Sequence, residues 1–305
     1  MKRSVFKPLL IGLTVLMASS CAKNSKLNPV TVPPVNNDLN PVQNPKIAHV
    51  ICDYDFNDTT LTNHGWTKSF DDEFDGDLSQ WNVWHGGGFQ KELQCYEPAN
   101  ATISNGVLKL TSTAETVTGP KTIGNDTAAT FNFTSGGVQS KTPISASPAT
   151  PKVLTVARIK IPRAYGLASA FWSYGNSWPQ QGEVDYLEAR CDDPTTYFTD
   201  FFYGTDLNKN IVPVPQSFVQ NRTDGDLSQC YHVYEMLWEQ NQLTVYLDGQ
   251  VVETKASSYV SDLFGKTEYV TLNLAVGGLL YNDITKANIQ NATMYVDYVK
   301  VFTSK

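Results

Sequence analysis

Two segments of this chain read as β-hairpins, and they set the class of fold before anything else does. Ala101-Thr-Ile-Ser-Asn105-Gly106-Val-Leu-Lys-Leu-Thr111 is an alternating run, an Asn-Gly pair and a second alternating run. Leu243-Thr-Val-Tyr-Leu247-Asp248-Gly249-Gln-Val-Val-Glu-Thr254 repeats the pattern with Asp-Gly. Both dipeptides tolerate the positive φ that a two-residue turn between twisted strands demands. Val153 to Ile161, Tyr269 to Val276 and Met294 to Phe302 add three further strands, and no segment carries a sustained, capped helical period. Many short strands separated by turns predict an all-β fold, a sandwich or jelly roll of two antiparallel sheets.

The 305 residues suffice for one large domain of this kind, and 41% apolar with 17% charged residues suits a packed core. The chain opens with Lys2, Arg3 and Lys7, then an apolar run from Pro8 to Ala18 that is too short to span a bilayer. This reads as an export signal over residues 1–20. It ends in Ala18-Ser-Ser-Cys21, which resembles the lipobox of bacterial lipoproteins and predicts a lipidated Cys21. The membrane would then be met only through that N-terminal anchor, at the outer membrane or cell surface. Without it, the protein would be periplasmic or secreted. Residues 21–48 are rich in Pro and Asn and read as a tether, leaving 49–305 as the folded domain.

Charge excludes some partners. The whole chain carries 23 Lys and Arg against 30 acids, and the leader removes three bases and no acid, for a mature balance of −10. Such a surface repels a phosphate backbone, so no nucleic-acid partner is expected. Export also changes the meaning of Cys52, Cys95, Cys191 and Cys230. One or two disulfides are expected, three pairings are open, and the spacing matches no zinc motif.

The chemistry concentrates in Gly182-Glu183-Val-Asp185-Tyr-Leu-Glu188. On a helix the three acids would scatter around the axis. On a strand Glu183 and Asp185 share a face, but strict alternation drives Glu188 into the core, where an unpaired charge is very costly. One extra residue, a β-bulge near Tyr186-Leu187, returns Glu188 to the face of the other two. Crowded like charges raise at least one pKa. A nucleophilic carboxylate beside a protonated acid is the machinery of retaining glycoside hydrolysis, with the two groups about 5–5.5 Å apart.

This segment resembles glycoside hydrolase family 16, whose signature is Glu, an apolar residue, Asp, one or two residues, Glu. The two-residue spacing is similar to the laminarinase, agarase and carrageenase branches. The resemblance runs from Asp71-Asp-Glu-Phe-Asp-Gly76 to Asp297-Tyr-Val-Lys-Val301, through Glu92-Leu-Gln-Cys-Tyr96, Ala170-Phe-Trp172, Tyr231-His-Val-Tyr234 and Leu272-Asn-Leu-Ala-Val-Gly-Gly278. It implies a jelly roll with a concave cleft, Glu183 as nucleophile, Glu188 as acid/base and Asp185 as their helper. It also implies a monomeric endo-acting enzyme on a polysaccharide, β-1,3-glucan or mixed-linkage β-glucan first. Sugar-stacking aromatics are expected at Trp172 and Trp178, with Trp84 and Tyr96 behind them, and a hydroxyl contact at Asn273. No cofactor is needed for catalysis. Relatives suggest a structural calcium held by Asp297 with carbonyls near Glu73 and Gly106. His232 is expected to be a packed structural residue.

Departures from the family pattern cluster at the cleft. Ala168 stands where a Trp is usual, Phe198 and Phe202 where His is common, and Lys91 where Asn precedes Glu92. They leave the acids intact and open the substrate question to a β-galactan or a transglycosylation. A surface glycan-binding protein without activity is the other class of reading, which three crowded carboxylates argue against.

Overall fold

The structure is a computed structural model, described for residues 40–281 and 284–304. The leader, Cys21 and the first part of the expected tether lie outside the described residues. Two large sheets pack face to face as a jelly roll. One runs, in spatial order, Val42–Ala48, Val219–Thr223, Thr196–Phe202, Glu183–Arg190, Leu167–Tyr174, Glu268–Val276, Gly137–Ile144 and Trp81–Val83. The other runs Gln250–Lys255, Gln242–Leu247, His232–Glu239, Lys152–Lys160, Ala292–Ser304, Leu108–Ser112 and Ala101–Ile103, with Thr67–Asp72 also paired to Ala292–Ser304.

Both expected hairpins close. Asn105 and Gly106 take φ of 55° and 69°, and Asp248 and Gly249 take 50° and 74°, the left-handed pair of a type I′ turn. Between the sheets lies the main core. Phe171, Val184, Leu187, Phe201 and Leu272 enter from the first sheet, and Val153, Ile159, Tyr234, Met236 and Val301 from the second, all at most 1% exposed. Alternation sends the intervening residues of the first sheet outward onto its concave face.

Two expectations change at the N-terminal end. Residues 42–48, assigned to the tether, form a strand, and it pairs in parallel with Val219–Thr223 in a sheet expected to be wholly antiparallel. Pro45 and the absence of alternation hide it in the sequence. It is an edge strand, where a missing N–H costs little, and Asn44 donates to Asn221 Oδ1 at 2.7 Å and to the Val252 carbonyl at 3.1 Å. The segment behind it is pinned by a Cys52–Cys230 disulfide across 178 residues of chain. Cys95 and Cys191 are buried free thiols. His232 is fully buried with Nδ1 2.8 Å from Asp248 Oδ2, and the same carboxylate accepts from Val233 N and Ile51 N. One aspartate thus fastens the hairpin turn, the strand start and the N-terminal segment together.

Candidate active site

The acidic strand Glu183–Arg190 lies in the middle of the concave sheet. Its register against Leu167–Tyr174 slips between Phe171↔Leu187 and Trp172↔Asp185, leaving Tyr186 as the extra residue. Against Thr196–Phe202 it slips between Asp185↔Asp200 and Glu188↔Phe198. The bulge falls where an all-outward placement of the acids requires it. Tyr186 turns into the core, its ring centroid 4.8 Å from that of Phe171. Glu183, Asp185 and Glu188 all line one cleft of about 500 Å³.

The electrostatics follow from enclosure. Asp185 is 3% exposed, and its Oδ2 makes no hydrogen bond among the described residues. Burial, then the charge of Glu188, holds the Glu183 carboxyl well above the usual carboxylate range. Burial, then Glu183 and Glu188, does the same to Asp185. Glu188 is pushed up to about 8 by burial and then by Asp200 and Glu92. A cluster raised in this way shares protons at neutral pH, so an ionised carboxylate can stand beside a protonated one.

The aromatic walls divide into two layers. Trp172 and Trp178 line the cleft. Trp172 stacks on Tyr174, which also lines it, at 4.7 Å and 18°; the two sit at i and i+2 on one strand face and present one apolar platform. Trp178 precedes a cis peptide bond to Pro179 and packs 5.9 Å from Phe202. Trp84 and Tyr96, 1% and 0% exposed, are not cleft-lining; they form the layer beneath. Asn273 joins the layers. Its Oδ1 accepts from Trp172 Nε1 at 2.7 Å, and its Nδ2 donates to Tyr96 Oη at 2.9 Å.

Two carboxylates of the cleft carry no isolated signal in the sequence. Glu92 enters from the opposite rim, accepting from Phe89 N, Gln94 Nε2 and Tyr96 Oη, and burial pushes it up to about 7. Asp200 faces Asp185 across the strand pair and is raised to about 7, by burial first. A cross-strand partner is legible only once register is known. Gly86-Gly87-Gly88 serves packing: a Cβ on Gly87 would lie 2.2 Å from the Lys121 carbonyl, and one on Gly88 1.9 Å from Glu92 Oε2.

The residues suggested for calcium gather at the end of the other sheet without fitting a cation. Asp297 Oδ2 is held by Arg158 Nη1 at 2.7 Å, and that guanidinium also donates to the Tyr54 carbonyl and lies over the Tyr231 ring. Glu73 Oε1 meets Lys300 Nζ at 2.8 Å. The Glu73 carbonyl does approach Gly106, but the fixed positive charge of Arg158 occupies the carboxylate a calcium would need.

A carboxylate cluster on a bulged strand, in an aromatic-walled groove of a jelly roll, defines a glycoside-hydrolase class of site. The chain belongs to the glycosyl hydrolases family 16, whose pattern it matches over residues 89–300. It is 28% identical over 283 residues to glucan endo-1,3-beta-glucosidase A1 of Niallia circulans, covering 85% of this chain but only 38% of that protein. With the glucan endo-1,3-beta-glucosidase of Cryptopygus antarcticus it shares 26% over 275 residues, 79% of this chain and 93% of the relative. The endo-beta-1,3-glucanase of Pyrococcus furiosus superposes with a TM-score of 0.65 at 28% identity, over 78% of this chain and 94% of that one.

Proposed function

We propose that this protein is a retaining endo-glycosidase that cuts internal bonds of a β-1,3-glucan or a mixed-linkage β-glucan. The bulge at Tyr186 carries the reading, because it places Glu183, Asp185 and Glu188 together in the cleft. Glu183 attacks the anomeric carbon while Glu188 gives its proton to the departing glycosidic oxygen, leaving a glycosyl ester on Glu183. Water then enters. Glu188 takes a proton from it, the oxygen bonds to the anomeric carbon, and Glu183 leaves as carboxylate. Asp185, buried between them, shares a proton with the pair and keeps both from ionising together. Sugar rings lie on the Trp172–Tyr174 platform and against Trp178. The names of the similar enzymes support β-1,3-glucan as the substrate.

The test is product release from laminarin, mixed-linkage glucan, agarose, carrageenan and porphyran, with Glu183→Gln as control. Oligosaccharides from the glucans, absent in the variant, support the reading. Products from a galactan alone would move the substrate class. Retention on a glycan gel with no cleavage would replace the enzyme by a binding protein. The leader and Ala18-Ser-Ser-Cys21 further support export with a lipid on Cys21. Under this reading Cys21→Ser moves the protein from the membrane fraction to the soluble one; an unchanged distribution would remove the anchor.

A further inference from the structure

Behind the cleft wall, on the reverse side of the small sheet Gly86–Gly87 and Cys95–Tyr96, three unlike ligand groups converge. Gly86 pairs with Tyr96 and Gly87 with Cys95, so the register carries His85 opposite Glu97, with Cys95 two residues away on the same face. Tyr96, between them, points the other way into the layer that supports Trp172. His85 Nε2 lies 3.5 Å from Glu97 Oε1, and Cys95 Sγ lies 3.5 Å from the same oxygen. All three ligand atoms fall within 4.8 Å of one another.

Those separations have a chemical meaning. Four-coordinate zinc holds nitrogen at about 2.0–2.1 Å, oxygen at about 2.0–2.2 Å and sulfur at about 2.3 Å, so its ligand atoms stand roughly 3.4–3.6 Å apart. The two measured edges have that length. The side chain of His85 is half exposed, which lets it close the third edge and leaves a fourth position to water. The space is kept by Gly119 on the overlying hairpin. A Cβ there would stand 2.6 Å from Cys95 Sγ, 3.6 Å from Glu97 Oε1 and 3.8 Å from His85 Nε2. The φ of Gly119 is not in the left-handed region, so what it contributes is the missing side chain, not a backbone conformation.

We propose that His85, Cys95 and Glu97 form a site for a borderline divalent transition metal, Zn²⁺ being the best match to one imidazole, one thiolate and one carboxylate. Binding replaces the S–H bond of Cys95 with a sulfur–metal bond and releases that proton to solvent. The ion staples the two short strands behind Tyr96 and takes no part in glycosidic cleavage.

The test uses the full chain in a Cys21→Ser background, titrated with Co²⁺ alone and then Zn²⁺. One equivalent of Co²⁺ should produce a thiolate-to-cobalt absorption that Zn²⁺ removes. Cys95→Ser should lose the band, and His85→Ala, at a half-exposed position, should weaken binding by about 100-fold or more. Gly119→Ala should fill the space and abolish the band with all three ligands retained. A folded protein that shows no thiolate band overturns the proposal. So does a band of equal affinity in Cys95→Ser or His85→Ala, which would put the metal elsewhere.

Discussion

Asp185 stands directly across from Asp200 on the neighbouring strand, and both are buried, at 3% and 4% exposure. Two carboxylates so placed cannot both be ionised without cost, and Asp200 adds to the rise of every acid on the bulged strand. The Glu188 acid, at about 8, should set the alkaline limb of kcat/KM, since above that pH the leaving oxygen loses its proton donor. Asp200→Asn removes a negative neighbour and so lowers that pKa. The limb should move to lower pH by about one unit. A pH–rate profile with an unmoved limb would remove Asp200 from the electrostatics of the site.

Glu183→Gln should lower turnover at least about 10³-fold while thermal unfolding and retention by laminarin in an affinity gel stay near those of the wild type. The amide keeps the shape of the side chain and removes the nucleophile. Activity within tenfold of wild type would reassign that role.

Glu188→Ala should lose about 10²–10⁴-fold on natural glucans, the usual contribution of a positioned acid. Added azide should restore cleavage of an activated aryl glycoside, because such a leaving group needs no proton and the small anion fits the space left by the side chain. The glycosyl azide keeps the β configuration if the first step inverts at Glu183. An absent or α-configured product would contradict the assignment.

Glu268 sits beneath the bulge, fully buried, accepting from Ser173 Oγ, with Oε1 unpartnered among the described residues. Burial raises it from an ordinary 4.5 to about 8. A raised carboxylate contributes stability that is whole below its unfolded pKa and is lost as pH rises through its folded one. Glu268→Gln should therefore match wild type at pH 4 and exceed it at pH 9 by a few kcal/mol, because each tenfold weakening of an acid on folding is worth roughly 1.4 kcal/mol. Urea unfolding at the two pH values measures this. A difference independent of pH would show that the Glu268 carboxyl has the same pKa in the folded and the unfolded chain.

Much of this was legible in the chain itself. Asn105-Gly106 and Asp248-Gly249 determined two hairpins because few dipeptides accept positive φ at both positions. The spacing of Glu183, Asp185 and Glu188 required either a buried charge or a bulge, and desolvation decided between them. Trp172 and Trp178 were legible as cleft residues by resemblance alone, for alternation cannot tell a concave face from a core.

What only the tertiary structure decided are the relations between distant segments. Register brought Asp200 to Asp185 and Glu92 to the opposite rim, selected Cys52–Cys230 from three pairings, and withdrew Trp84 and Tyr96 into the supporting layer. It also turned residues 42–48 from tether into strand and gave Asp297 to Arg158. A local pattern reports the conformation a few residues can adopt. Which faces meet depends on packing two sheets whose strands lie far apart along the chain, and no local pattern carries that information.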